Sequence, residues 1–76
     1  MTLDNFIANF ASQFEDTDAS EVTAVTIFKE LDEWDSLIAL SVIGMVDEEY
    51  DVRIKGDDIR SASTVEDLFK VVESRK

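Results

Sequence analysis

Leu3, Phe6, Ile7, Phe10, Ala11 and Phe14 recur at the spacing of one helix face, with Asn5, Asn9, Ser12 and Gln13 on the other sides. The pattern predicts a first amphipathic helix that stops near Phe14. Glu15 to Ser20 is acidic and polar without periodicity, and it opens a long connection. Within that connection, Val22-Thr23-Ala24-Val25-Thr26-Ile27-Phe28 is rich in β-branched residues and would pass for a strand on propensity alone. Val52-Arg53-Ile54 is too short to give it a partner in a sheet. The segment is therefore read as a loop, pinned by Val25, Ile27, Phe28 and Leu31.

Ser36 to about Tyr50 reads as a second helix. At about 100° per residue, Ala39, Val42, Ile43, Val46 and Tyr50 gather on a core stripe. The opposite face collects Leu37, Ser41, Gly44, Met45 and Glu48, flanked by Ile38, and is less polar than a merely solvated face. Scattered apolar surface residues are common, but these share a face with the end that carries Ser36, which favours docking. Val52 and Ile54 lead through Lys55-Gly56 into a helical turn or two over Asp57-Asp58-Ile59-Arg60-Ser61, with Asp57 suited to its start. Ser63-Thr64-Val65-Glu66 fits a capping box, and Val65, Leu68, Phe69 and Val72 follow at helical spacing. The expected fold is all-α, a single-domain four-helix bundle with three main helices, one short helix and a long loop after the first.

Composition narrows what such a bundle can do. A chain of 76 residues buries only about 60% of its unfolded surface, so its core is thin. It has no cysteine and no histidine, which removes disulfides, thiolate metal sites and the commonest general base. Catalysis by the chain itself is not expected. Glu15-Asp16-Thr17-Asp18 lacks the glycine and bidentate glutamate of a calcium loop, so no metal site is expected either. Eighteen acidic residues against seven basic ones give a formal charge of −11, which opposes nucleic acid and anionic membranes and favours partners with basic surfaces. Met1-Thr2-Leu3-Asp4-Asn5 has neither a basic region nor a long apolar run, so no signal peptide or spanning helix is expected there, and the expected location is cytoplasmic.

The chemistry that remains centres on Trp34-Asp35-Ser36-Leu37. Asp35 suits an N-cap, since its carboxylate can accept from the free N–H groups of the next helix. Ser36 then falls at the first helical position, where free amides and the macrodipole suit a phosphate ester. A helix-start signal alone would account for the Asp35-Ser36 pair; the residues around it say more. Phe28 upstream, Trp34-Asp35-Ser36-Leu37, the acidic close at Asp47-Glu48-Glu49-Tyr50, the continuation Asp51-Val52-Arg53-Ile54 and the Ser63-Thr64-Val65-Glu66-Asp67-Leu68 start come in the order of a known pattern. Over nearly its whole length the chain resembles the acyl carrier protein family, whose mark is Asp-Ser-Leu at the head of the second of four helices.

The resemblance implies that a phosphopantetheinyl transferase joins 4′-phosphopantetheine from coenzyme A to the hydroxyl of Ser36. It gives Asp35 a part in that magnesium-dependent modification, and Leu37 a part in positioning the arm and touching partners. The arm would carry acyl groups as thioesters between acyl-loading and acyl-processing enzymes with basic docking surfaces, in fatty acid, polyketide or related assembly. Family members that bury fatty chains do so at positions matching Phe28, Val46, Ile54, Ile59, Ala62 and Leu68, all six of which are equally good core residues. Many fatty acid carriers have acids just after the motif, where this chain has Ile38 and Ser41, so the expected partner surface combines Ile38, Ser41 and Met45 with Asp47, Glu48 and Asp57 lower down. That apolar start tilts the reading toward a dedicated pathway. The expected state is a monomer. Two alternatives stay open: an aminoacyl or peptidyl carrier, and an unmodified acidic interaction module in which Ser36 is only structural.

Overall fold

Helix starts in this chain are set by side chains that accept the first free amides. Thr2 accepts from Asn5, Asp35 from Ile38 and Thr64 from Asp67, opening α1 (Leu3–Ala11), α2 (Ser36–Tyr50) and α4 (Val65–Arg75). The short α3 (Gly56–Ser61) begins where the Asp58 carboxylate accepts the Lys55 N–H at 2.8 Å. The computed structural model describes residues 1–76 as a four-helix, all-α bundle without strands.

Packing follows the aromatic and branched residues. α1 packs against α4 and α2, and α3 against α4. Phe6, Phe10, Phe28, Val42, Val46, Val65, Leu68 and Val72 lie at the centre, with no measurable or barely measurable exposure. Phe6 bridges the bundle, with its ring 5.7 Å from Phe69, 5.8 Å from Tyr50 and 6.3 Å from Phe10. The Tyr50 hydroxyl donates to Asn5 at 2.6 Å and accepts from Asn9 at 2.8 Å, which satisfies the polar tip of a buried side chain.

Three boundaries differ from the expectation. α1 ends at Ala11, short of Phe14, because the Ser12 hydroxyl and the Gln13 amide both donate back to the Asn9 carbonyl and compete with the helical ladder. A tighter turn then carries Phe14 into the core. α3 starts at Gly56, one residue before Asp57, because Asp58 supplies its first bond. In α4 the cap is Thr64 and its reciprocal partner is Asp67, one residue beyond the predicted Ser63 and Glu66.

The 12–35 connection is a loop, as read, with two single 3-10 turns at Ala19–Glu21 and Phe28–Glu30. Its only strand-like contact is an isolated bridge between Ile27 and Thr64. Backbone bonds from Val65 to Thr26 and from Glu66 to Ala24 fasten it to the start of α4. The anchors are Val22 and Phe28, with Leu31 half-buried; Val25 and Ile27 are exposed and anchor nothing by burial. The fastening carbonyls belong to Ala24 and Thr26, and the Ile27 side chain stays outside. α2 ends at Asp51, whose left-handed φ of 55° breaks the helix while its N–H still reaches the Asp47 carbonyl.

Candidate functional site

Ser36 opens α2 where the long loop enters it. Just before it, Trp34 is seated among Phe10, Phe14 and Phe28, edge-on to Phe28 at 4.9 Å and parallel to Phe10 at 6.4 Å. That aromatic socket fixes the chain one residue before the cap. Asp35 then turns extended, and its Oδ1 accepts the Ile38 N–H at 2.9 Å, while Oδ2 has no hydrogen-bond partner in the protein. Ser36 is exposed and its hydroxyl is unpaired; the N–H groups of Ser36 and Leu37 are also free. One hydroxyl, two free amides and the positive end of a 15-residue helix therefore meet at one point.

An open groove of about 500 Å³ begins at that point and runs between α2 and α3. Trp34, Ala39, Ile43 and Ile59 give it an apolar lining, and Lys29 and Arg60 stand on its wall. The Lys29 ammonium donates to the carbonyls of Ile59 at 3.2 Å and Arg60 at 2.8 Å, tying the end of α3 to the loop. At the other side of α3, Arg75 grips Asp58 through both guanidinium nitrogens, the first at 2.7 Å, and that grip holds the Asp58 carboxyl below its ordinary pKa. The groove wall formed by α3 is thus fastened by polar contacts at both ends.

The expected chain-binding residues do not line this groove as a set. Ile59 does; Phe28, Val46, Ile54, Ala62 and Leu68 are buried in the single core cluster and line no opening. A thin core needs these side chains packed against one another. Trp34, Ala39 and Ile43 line the groove beside Ile59, although the sequence pattern places Ala39 and Ile43 on the core stripe.

The exposed face of α2 also differs from the expected one. Leu37 and Leu40 are 71% and 63% exposed, one turn apart, followed by exposed Ser41, Gly44, Asp47 and Glu48. Ile38 is half-buried against the core. Met45, expected on this face, is only 6% exposed. It lies within about 60° of Val42 around the helix, and its flexible side chain folds into the core. Leu40 was missed because it falls at the edge of that face, about 60° around the helix from Leu37, in a stretch of α2 that is apolar almost all round. Asp57 is exposed on α3, paired with Arg60 at the surface.

Fold and site together define a small four-helix bundle that presents one unpaired serine at a helix start, beside an apolar groove. No family model matches the chain, and no curated protein matches it. No helix is long and apolar enough to cross a membrane, and no cluster of histidine, cysteine or carboxylate side chains is arranged to hold a metal ion.

Proposed function

We propose that the chain is an acyl carrier protein, modified on Ser36 with 4′-phosphopantetheine by a partner transferase. The observation that carries this reading is the exposed, unpaired Ser36 hydroxyl beside the free amides of Ser36 and Leu37. In the modification, the Ser36 oxygen bonds to the phosphorus that bears pantetheine in coenzyme A, the diphosphate bond breaks, and adenosine 3′,5′-bisphosphate leaves. The serine proton passes to the transferase. The resulting phosphodiester is anionic, and the free amides and helix dipole of α2 suit it. Asp35 divides its oxygens: one caps α2, and the other is open to the magnesium ion that the transferase brings.

When attached, the arm supplies a thiol that holds acyl groups as thioesters. The groove lined by Trp34, Ala39, Ile43 and Ile59 offers such a group an apolar resting place. Leu37 and Leu40 give partner enzymes an apolar contact next to Ser36, and Asp47 and Glu48 attract their basic residues further along α2. The exposed leucine pair would equally serve an unmodified interaction module, which is the second reading.

Intact-protein mass spectrometry separates the two. Incubation with coenzyme A, magnesium and a broad-specificity phosphopantetheinyl transferase should add one phosphopantetheine to the wild type and none to Ser36→Ala. Correctly folded wild type that gains no mass would favour the interaction module.

A further inference from the structure

Glu33 stands two residues before Asp35, and its carboxylate reaches back across the long loop to the chain just beyond α1. One oxygen accepts the Glu15 N–H at 2.7 Å. The other accepts the N–H groups of Asp16 at 3.0 Å and Thr17 at 2.9 Å, together with the Thr17 hydroxyl at 2.8 Å. Three successive amides aimed at one anion form a nest, and here the anion belongs to the same chain. No cation pairs with Glu33; its charge is answered entirely by these four donors. Partial desolvation raises the Glu33 carboxyl, but the hydrogen bonds from Glu15, Thr17 and Asp16 outweigh it and leave its pKa below the ordinary glutamate value.

Where the clasp falls in the chain is what gives it meaning. The Trp34 N–H donates to the Leu31 carbonyl at 2.9 Å, closing a turn that contains Glu33. Trp34 is held by three aromatic rings, Glu33 by four donors, and the next two residues are the cap and the serine. The long loop is thus pinned immediately before Ser36, by a polar contact and an apolar one side by side.

We propose that Glu33 is a positioning residue for the modification of Ser36: its clasp on residues 15–17 holds the entry to α2 in the arrangement the transferase recognises. The inference rests on the carrier reading. Without the clasp, the chain before α2 samples more arrangements, and only a fraction of molecules presents Ser36 correctly. Apparent affinity then falls in proportion to that fraction, while turnover of the bound complex is kept.

The test follows holo-protein formation by intact mass at varied carrier concentration, for wild type, Glu33→Ala, Glu33→Gln and Val72→Ala. Glu33→Ala should raise KM about tenfold with kcat nearly unchanged. Glu33→Gln keeps a carbonyl acceptor without the charge and should fall between. Val72→Ala weakens the core on α4 and leaves the clasp intact, so it should keep the wild-type KM where it is folded; Leu3→Ala is the milder control should it fail to fold. Hydrogen exchange at the amides of residues 15–17 should quicken most in Glu33→Ala, less in Glu33→Gln and least in Val72→Ala. Unchanged KM in Glu33→Ala with quickened exchange would reduce the clasp to a loop fastener and overturn the proposal. An equal rise in KM for Val72→Ala would overturn it too, by attributing the effect to stability. Wild type that takes no phosphopantetheine at all would remove the carrier reading and the positioning role with it, whatever the exchange data show of the clasp.

Discussion

Trp34 meets Phe28 edge to face, with ring centroids 4.9 Å apart, so the residue two before Ser36 is docked on a fully buried phenylalanine of the preceding loop. The contact links the core to the site. Trp34 is the only tryptophan in the chain and also lines the groove that begins at Ser36.

Trp34→Ala should therefore act on stability and site together. Removing a tryptophan that contacts three aromatic rings should cost about 3 kcal/mol, the low end for such truncations because the side chain is half-buried. Urea unfolding followed by circular dichroism measures the loss. In the wild type, Trp34 fluorescence should shift when an acyl group longer than the groove's apolar wall is loaded on Ser36, and an unmoved spectrum would argue that the chain lies elsewhere.

Asp35 carries two roles that substitutions can separate. Asp35→Ala removes the cap on the Ile38 N–H and should cost about 1 kcal/mol. Asp35→Asn keeps an oxygen for the cap and should leave stability nearly unchanged. Both should slow the transferase, because both remove the charge offered to magnesium. Equal modification rates for Asp35→Asn and wild type would confine Asp35 to capping.

The parts of this site that were legible in the sequence are those governed by local rules. Asp35 capping α2 and the Ser36–Tyr50 span follow from neighbours within a few positions; the loop at residues 22–28 was legible for a different reason, the want of a second strand in the sequence to pair with it. What was not legible depends on contacts between distant segments. The Glu33 clasp joins side chain and backbone across 16 to 18 positions of aperiodic loop, and no pattern in the sequence signals it. Ile27 looks like an anchor by composition, yet its side chain is exposed and the loop is fastened there by the Thr26 carbonyl, which accepts from Val65. The α4 cap was misplaced by one residue because Ser63-Thr64 followed by Glu66-Asp67 offers the same motif in two registers.

Met45 and Leu40 provide a direct test of which side of α2 is covered. Met45→Ala empties a buried position and should cost about 2 kcal/mol or more. Leu40→Ala at an exposed position should change stability by no more than about 0.5 kcal/mol. Leu40→Ala should nevertheless weaken capture by a partner enzyme in a pull-down where Met45→Ala, measured while folded, does not.

Gly44 is the weakest helix former in α2. It is exposed, and a methyl group added there would meet nothing within 4 Å. Gly44→Ala should stabilise the protein by about 1 kcal/mol. For a chain of this size that corresponds to a rise of about 4–8 °C in Tm, read by thermal denaturation. A fall in Tm would mean that the helix uses the glycine in a way its geometry does not reveal.

Acid should destabilise this protein despite its charge of −11. Protonating carboxylates relieves self-repulsion, which by itself favours the compact state at low pH. The hydrogen bonds and ion pair made by four carboxyls point the other way. Asp18 is lowered by the Ser20 N–H, Asp58 by Arg75 and Asp67 by the Thr64 N–H; at Glu33, desolvation is outweighed by the hydrogen bonds from residues 15–17. A carboxyl whose pKa is lower folded than unfolded contributes stability above the unfolded value and loses it as pH falls through the folded one. The unfolded chain therefore binds more protons, and urea midpoints should hold above about pH 5 and fall below about pH 4. Glu33→Gln should flatten part of that fall, since one of the four groups no longer titrates. Midpoints that rise on acidification would mean that relief of repulsion outweighs these four contacts.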